Sequence, residues 1–103
     1  MKAVGLLEVY GLTTAFCAAD AACKAADITL EPFDRNKPAN ADKLPVPLLI
    51  TIKMRGEVAA VTSAMQAAKA VAESMAGVVA EHVIPNPEQD TQKMLTLCAL
   101  DKN

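Results

Sequence analysis

His82 is the only histidine in the chain, and a lone imidazole needs a second group before it can act as a base or a ligand. The carboxylates that could partner it, Glu8, Glu31 and Glu81, fall on three separate segments at spacings that make no general acid and base pair. Cys17, Cys23 and Cys98 are odd in number and lack a CxxC spacing. Cys17 and Cys23 are also too far round one helix for a local metal pair. These thiols read as reduced core or interface residues in apolar surroundings, and His82 as a structural side chain on the apolar side of a strand. No GxSxG, P-loop or HExxH pattern is present. The expectation is a protein with no catalytic residues, no metal site and no cofactor.

Composition narrows the class further. At 103 residues the chain suits one domain, residues 1–103, and with 52% hydrophobic and 21% charged residues it is an ordinary folded protein. Aromatics are 3%, so small aliphatic side chains must build the core by close approach of backbones. The net charge of −2, with Lys and Arg scattered, argues against nucleic acid as a partner. No apolar run approaches the roughly 20 residues that span a bilayer, and the N-terminus lacks a signal-peptide pattern. The expected partners therefore exclude membranes, and the expected location is the cytoplasm.

Periodicity supplies the elements. Ala3 to Val9 alternates as a strand and Gly11 breaks it. Leu12 to Ala26 has helical spacing, with Leu12, Ala15, Phe16, Ala19, Ala22, Cys23 and Ala26 as the apolar stripe and Thr13, Cys17, Asp20, Lys24 and Asp27 opposite. Ile28 to Pro32 reads as a short strand ended by the proline. Leu48 to Arg55 reads as a longer one, with Leu48, Ile50, Ile52 and Met54 facing inward and Thr51, Lys53 and Arg55 facing water. Glu57 to Met75 is a second helix, with Val58, Val61, Met65, Ala68, Ala72 and Met75 buried and Gly77 as its stop. Val78 to Ile84 is a fourth strand. A short helix then begins with Asn86 as N-cap, Pro87 at its first position and Gln89 in a capping box.

This order buries both apolar stripes in an α+β, ferredoxin-like βαββαβ arrangement: two helices on one face of a four-stranded antiparallel sheet, plus a short C-terminal helix. The other sheet face, with Glu8, Thr29, Thr51 and Lys53, is expected to meet water. Between the second and third strands lies "FDRNKPANADKLPVP", Phe33 to Pro47. Its three prolines and lack of glycine make it a long, stiff excursion.

Three blocks, "KAVGLLEVYGLTTAFCAADAACKAADITL", "MRGEVAAVTSAMQAA" and "HVIPNP", together resemble the hexamer-forming shell proteins of bacterial microcompartments. The likeness runs from Lys2 to Leu95. The resemblance implies a flat homohexamer that tiles with other shell proteins around a set of encapsulated metabolic enzymes, with a central pore for metabolites. It also implies that the loop after the second strand lines that pore, which makes Asp34, Arg35, Asn36, Lys37, Pro38, Asn40, Asp42 and Lys43 the pore-lining candidates. In this family the loop is usually short and glycine-rich, so the present segment departs from the pattern.

Its three cations and two acids sum to +1 per subunit. A sixfold ring would make that a cationic collar, whereas a loop folded over a neighbouring subunit would act as a clamp, and an occluded or widened pore is a third outcome. The family also places a lysine, matched by Lys24, at the hexamer edge. A second edge position, often arginine in the family, is Asn86 here. Burial of subunit flanks in such a hexamer would account for Val4 and Leu6.

A ferredoxin-like regulatory module that binds a small ligand between subunits remains the alternative, with the added C-terminal helix against it. An acyl-phosphate hydrolase on this fold lacks the arginine and asparagine that it needs after the first strand.

Overall fold

A computed structural model describes residues 2–97. Eight elements follow one another: β1 (Ala3–Tyr10), α1 (Leu12–Ala25), β2 (Thr29–Asn36), a 3-10 turn (Ala41–Lys43), β3 (Leu49–Gly56), α2 (Val58–Met75), β4 (Val78–Ile84) and α3 (Gln89–Leu95). The strands form one antiparallel sheet in the order β2-β3-β1-β4. This is the ferredoxin-like arrangement, with β1 and β3 in the centre and an edge strand on either side.

The period-2 alternation of the central strands sends Leu7, Val9, Ile50, Ile52 and Met54 to the face covered by α1 and α2, where all five are buried. Against them lie Ala15, Ala18, Ala19 and Ala22 of α1 and Val61, Ala64, Met65, Ala68 and Ala72 of α2. Alanine dominates both buried stripes, so the helices sit close to each other and to the sheet. At Gly5 the approach is so close that a Cβ would lie 2.8 Å from both Met65 Sδ and Val61 Cγ1. Two positive-φ glycines, Gly11 (87°) and Gly77 (112°), turn the chain where β1 gives way to α1 and where α2 ends. The Gly77 amide closes the end of α2 by donating to the Ala72 carbonyl at 2.8 Å.

The buried stripe of α1 is rotated from the expected one. Thr14 and Ala18 are inside, while Leu12, Phe16 and Cys23 are exposed. Phe16 instead meets the Phe33 ring edge-on at 5.1 Å, over the flank of β2. On α2, Val58 and Met75 are likewise exposed, because they sit at the two ends of the helix, beyond the sheet. Cys17 and Cys23 both lie on the surface, so neither is a core thiol, and Cys98 falls outside the described residues.

The open face departs most from expectation. Lys53 and Arg55 are buried there, at 2% and 8% exposure, because α3 folds back across that end of β3. Arg55 Nη2 donates to Gln92 Oε1 on α3 (3.1 Å) and to the Lys2 carbonyl (3.2 Å), while Nε donates to the Ala3 carbonyl (3.2 Å). Lys53 Nζ donates to the Leu97 carbonyl at 2.8 Å. Val4 shares this side of β1 and is already fully buried within the protomer, with no need of a neighbouring subunit.

The start of α3 also moves. Glu88 is its N-cap, accepting from the Asp90 amide at 2.7 Å, so Asn86 is not the cap and Gln89 is the first helical residue. His82 is exposed on the open face, opposite Leu6 of β1, rather than on the apolar side.

Candidate functional site

The segment singled out by its prolines begins later than its composition suggests. β2 continues through Pro32 to Asn36. Proline is tolerated because β2 is an edge strand and because pairing with β3 lapses between Glu31 and Asp34, where no ladder hydrogen bond is required of it. Phe33, Asp34, Arg35 and Asn36 are therefore strand residues, and the connection proper covers residues 37–48.

That connection is internally braced. The Ala41 amide donates to the Pro38 carbonyl (3.0 Å), Lys43 to Asn40 (2.9 Å) and Leu44 to Ala41 (3.1 Å), which winds the 3-10 turn. Ala41 is buried. At the far end the Gly11 amide donates to the Leu48 carbonyl at 2.8 Å, and Val46 Cγ1 would lie 3.4 Å from a Cβ at Gly11. The segment is thus anchored against the junction of β1 and α1 in its own protomer.

Of the eight candidates there, Arg35, Asn36, Lys37, Asn40, Asp42 and Lys43 are exposed together at one end of the sheet. Pro38 is half-buried. Asp34 is half-buried, and its Oδ2 lies 3.0 Å from the ammonium of Lys53. Adding the Lys53 ammonium that Asp34 binds to the segment's three cations and two acids brings the formal sum to +2, in place of the +1 of the segment alone. Only the fold reveals this, since Lys53 is distant in sequence and reads as a solvated strand residue.

The two edge candidates lie elsewhere. Lys24 is exposed near the end of α1, with Nζ 2.7 Å from Asp20 Oδ2 one turn earlier. The hydrogen bond to Asp20, and then its negative charge, raise the Lys24 pKa above 10.5. A raised lysine pKa stabilises below the unfolded value and is lost only as pH climbs through the folded one, so the pair does not switch near neutrality. Asn86 is exposed in the turn between β4 and α3. The structure does not bring Lys24 and Asn86 into contact with the 34–43 cluster.

On the open face, Leu6, Glu8, Thr51, Ala80 and His82 line a shallow depression of about 230 Å³. Among the described residues no group of three or more His, Cys, Asp or Glu side chains is placed to hold a metal ion, and no helix is long and apolar enough to cross a membrane.

Comparison with known proteins agrees with this architecture. The family model described as "BMC domain" matches residues 3–87. The bacterial microcompartment shell protein PduA of Citrobacter freundii is 37% identical over 94 residues, covering 91% of this chain and 91% of that protein. The carboxysome shell protein CcmK3 of a Halothece species is 30% identical over 102 residues, covering 97% of this chain and 91% of that protein. A solved microcompartment protein from Desulfitobacterium hafniense superimposes with a TM-score of 0.70 at 29% identity over 93% of this chain, which spans 47% of that longer one. A near end-to-end match to shell components supports the shell reading over the ligand-sensing module. The chain belongs to the BMC-domain family of bacterial microcompartment shell proteins.

Proposed function

We propose that six copies of this chain form a flat cyclic hexamer that tiles with other shell proteins into the facets of a microcompartment, enclosing metabolic enzymes within the cytoplasm, and that its role is structural rather than catalytic. The carrying observation is the family match, which includes relatives named as shell proteins and aligned along nearly their whole length. The shape of the protomer is consistent with it. The molecule is a slab of 40 × 30 × 18 Å, with Leu12, Phe16, Leu30, Val58, Met75 and Val79 exposed. So much large apolar surface on a small chain favours association.

In this reading the end of the sheet that carries Arg35 to Lys43 faces the sixfold axis. The bracing of residues 37–48 onto their own protomer favours a rigid rim over a clamp thrown across a neighbour. A net +2 per subunit, repeated around the axis, favours passage of anionic metabolites. Neutralising the rim with Arg35→Gln, Lys37→Gln and Lys43→Gln is expected to slow entry of an anionic substrate to an enclosed enzyme several-fold. A neutral substrate of similar size is expected to be unaffected, and the difference to shrink as salt is raised. Equal slowing of both substrates would remove charge as the basis of selection, and no slowing of either would locate the rim away from the pore.

Solution mass by light scattering, followed by negative-stain microscopy of the same sample, tests the assembly. A mass near six subunits with sheets or tubes is expected, and a stable monomer or dimer would overturn the hexamer. Lys24 is exposed and held by one surface ion pair, so it contributes little to the protomer itself. Lys24→Asp is therefore expected to leave hexamers intact and abolish sheets. Normal sheets would remove Lys24 from the lateral contact.

A further inference from the structure

We propose that Lys53 is a coupling residue that links the segment carrying the candidate rim to the end of α3 across the open face of the sheet. Its ammonium holds two groups at once, Asp34 Oδ2 at 3.0 Å and the Leu97 carbonyl at 2.8 Å. Asp34 stands on β2 just before the rim residues, and Leu97 lies just past the end of α3. The lysine side chain is 2% exposed, whereas that of Asp34 is 35% exposed.

The coupling follows from the cost of an underpaired buried cation. If Asp34 moves away, Lys53 is left in a dry site with too little negative charge, and it must turn toward water and release the Leu97 carbonyl. If the C-terminal segment lifts, water reaches the ammonium and screens its attraction to Asp34. Each partner therefore stabilises the other's hold on Lys53, and the linkage is reciprocal.

The element that would yield is the end of α3. Docked, it is kept by Lys53, by the Arg55 to Gln92 hydrogen bond and by the buried Leu95. Its last turn is otherwise thin, with the Thr96 amide donating to Lys93 at 3.4 Å, the Leu97 amide to Met94 at 3.2 Å, and the Met94 and Leu97 side chains exposed. A charge or contact that draws Asp34 from Lys53 near the rim thus loosens the end of α3 further along the open face.

Amide hydrogen exchange at Thr96 and Leu97 reads the coupling directly. Asp34→Asn removes the charge while keeping the shape, at a side chain that is 35% exposed. It is expected to speed exchange at these two amides roughly tenfold, the loss that one charge-assisted contact represents. In a Lys53→Met background the same Asp34→Asn change is expected to add nothing. Unchanged exchange at Thr96 and Leu97 in Asp34→Asn would overturn the proposal without any variant at Lys53. An equal acceleration with and without Lys53 would overturn it as well, because the effect would then travel by another route.

Discussion

Gly5→Val is expected to destabilise the protomer by about 3 kcal/mol, at the upper end of what overpacking a core costs. Gly5 lies on β1 directly beneath α2, and its missing side chain is what lets the helix approach. A Cβ there would stand 2.8 Å from Met65 Sδ, 2.9 Å from Met65 Cγ and 2.8 Å from Val61 Cγ1. Met65 can swing, but Val61 is fully buried and β-branched, with little rotamer freedom, so α2 itself must shift. The better strand propensity of valine offsets about 1 kcal/mol at most. Urea unfolding at one fixed protein concentration, so that assembly contributes equally to both proteins, measures the difference. Val61→Ala introduced with Gly5→Val should recover part of the loss. A Gly5→Val protein as stable as the parent would mean that α2 is not held as close to β1 as its alanine-rich face implies.

Arg55→Ala is expected to cost a similar amount, also about 3 kcal/mol, and to lower Tm by roughly 15 °C for a domain of this size. Three acceptors lose their donor together: the carbonyls of Lys2 and Ala3 and the amide oxygen of Gln92. The guanidinium spans the start of β1 and the middle of α3, so both should exchange amide protons faster while α1 keeps its protection. Lys is expected to restore little, because one ammonium on a flexible stem cannot reproduce the planar fork that reaches all three oxygens. Full recovery by Arg55→Lys would reduce the role of this residue to simple charge.

Glu81 illustrates how a surface pair can fasten an edge strand. Its carboxylate lies 2.7 Å from Lys69 of α2, both side chains being near two-fifths exposed. The lysine pKa is raised, chiefly by the hydrogen bond to Glu81 and next by its charge. The lysine's share of the pair is thus present across neutral pH and lost as pH rises past the raised lysine value, and water screens much of its worth. β4 depends more on its ladder to β1 than on this contact.

What could be read from the chain alone was whatever local periodicity and turn chemistry encode. The alternation of Leu7, Val9, Ile50, Ile52 and Met54, the alanine stripes of the two helices, and Gly11 and Gly77 at the turns specified the strands, the helices and their antiparallel stacking. The three sequence blocks were enough to name the family. Boundaries and faces set by neighbours were beyond that reach. Pro32 looked like a strand end because proline cannot donate to a ladder, but a bulge on an edge strand asks for no donor there. Phe16 looked like core by helical spacing, yet the rotation of α1 on the sheet turns it outward to meet Phe33.

Lys53 is the sharpest case. Alternation correctly sent its side chain away from α1 and α2, but nothing local revealed that α3 would fold back over that face, bury the ammonium and bring the Leu97 carbonyl to it, or that β2 would set Asp34 beside it. The sequence alone carried the pattern of each segment, because side-chain periodicity is a local property. Tertiary structure decided which of the outward-facing charges remained in water, because burial depends on what a distant part of the chain covers.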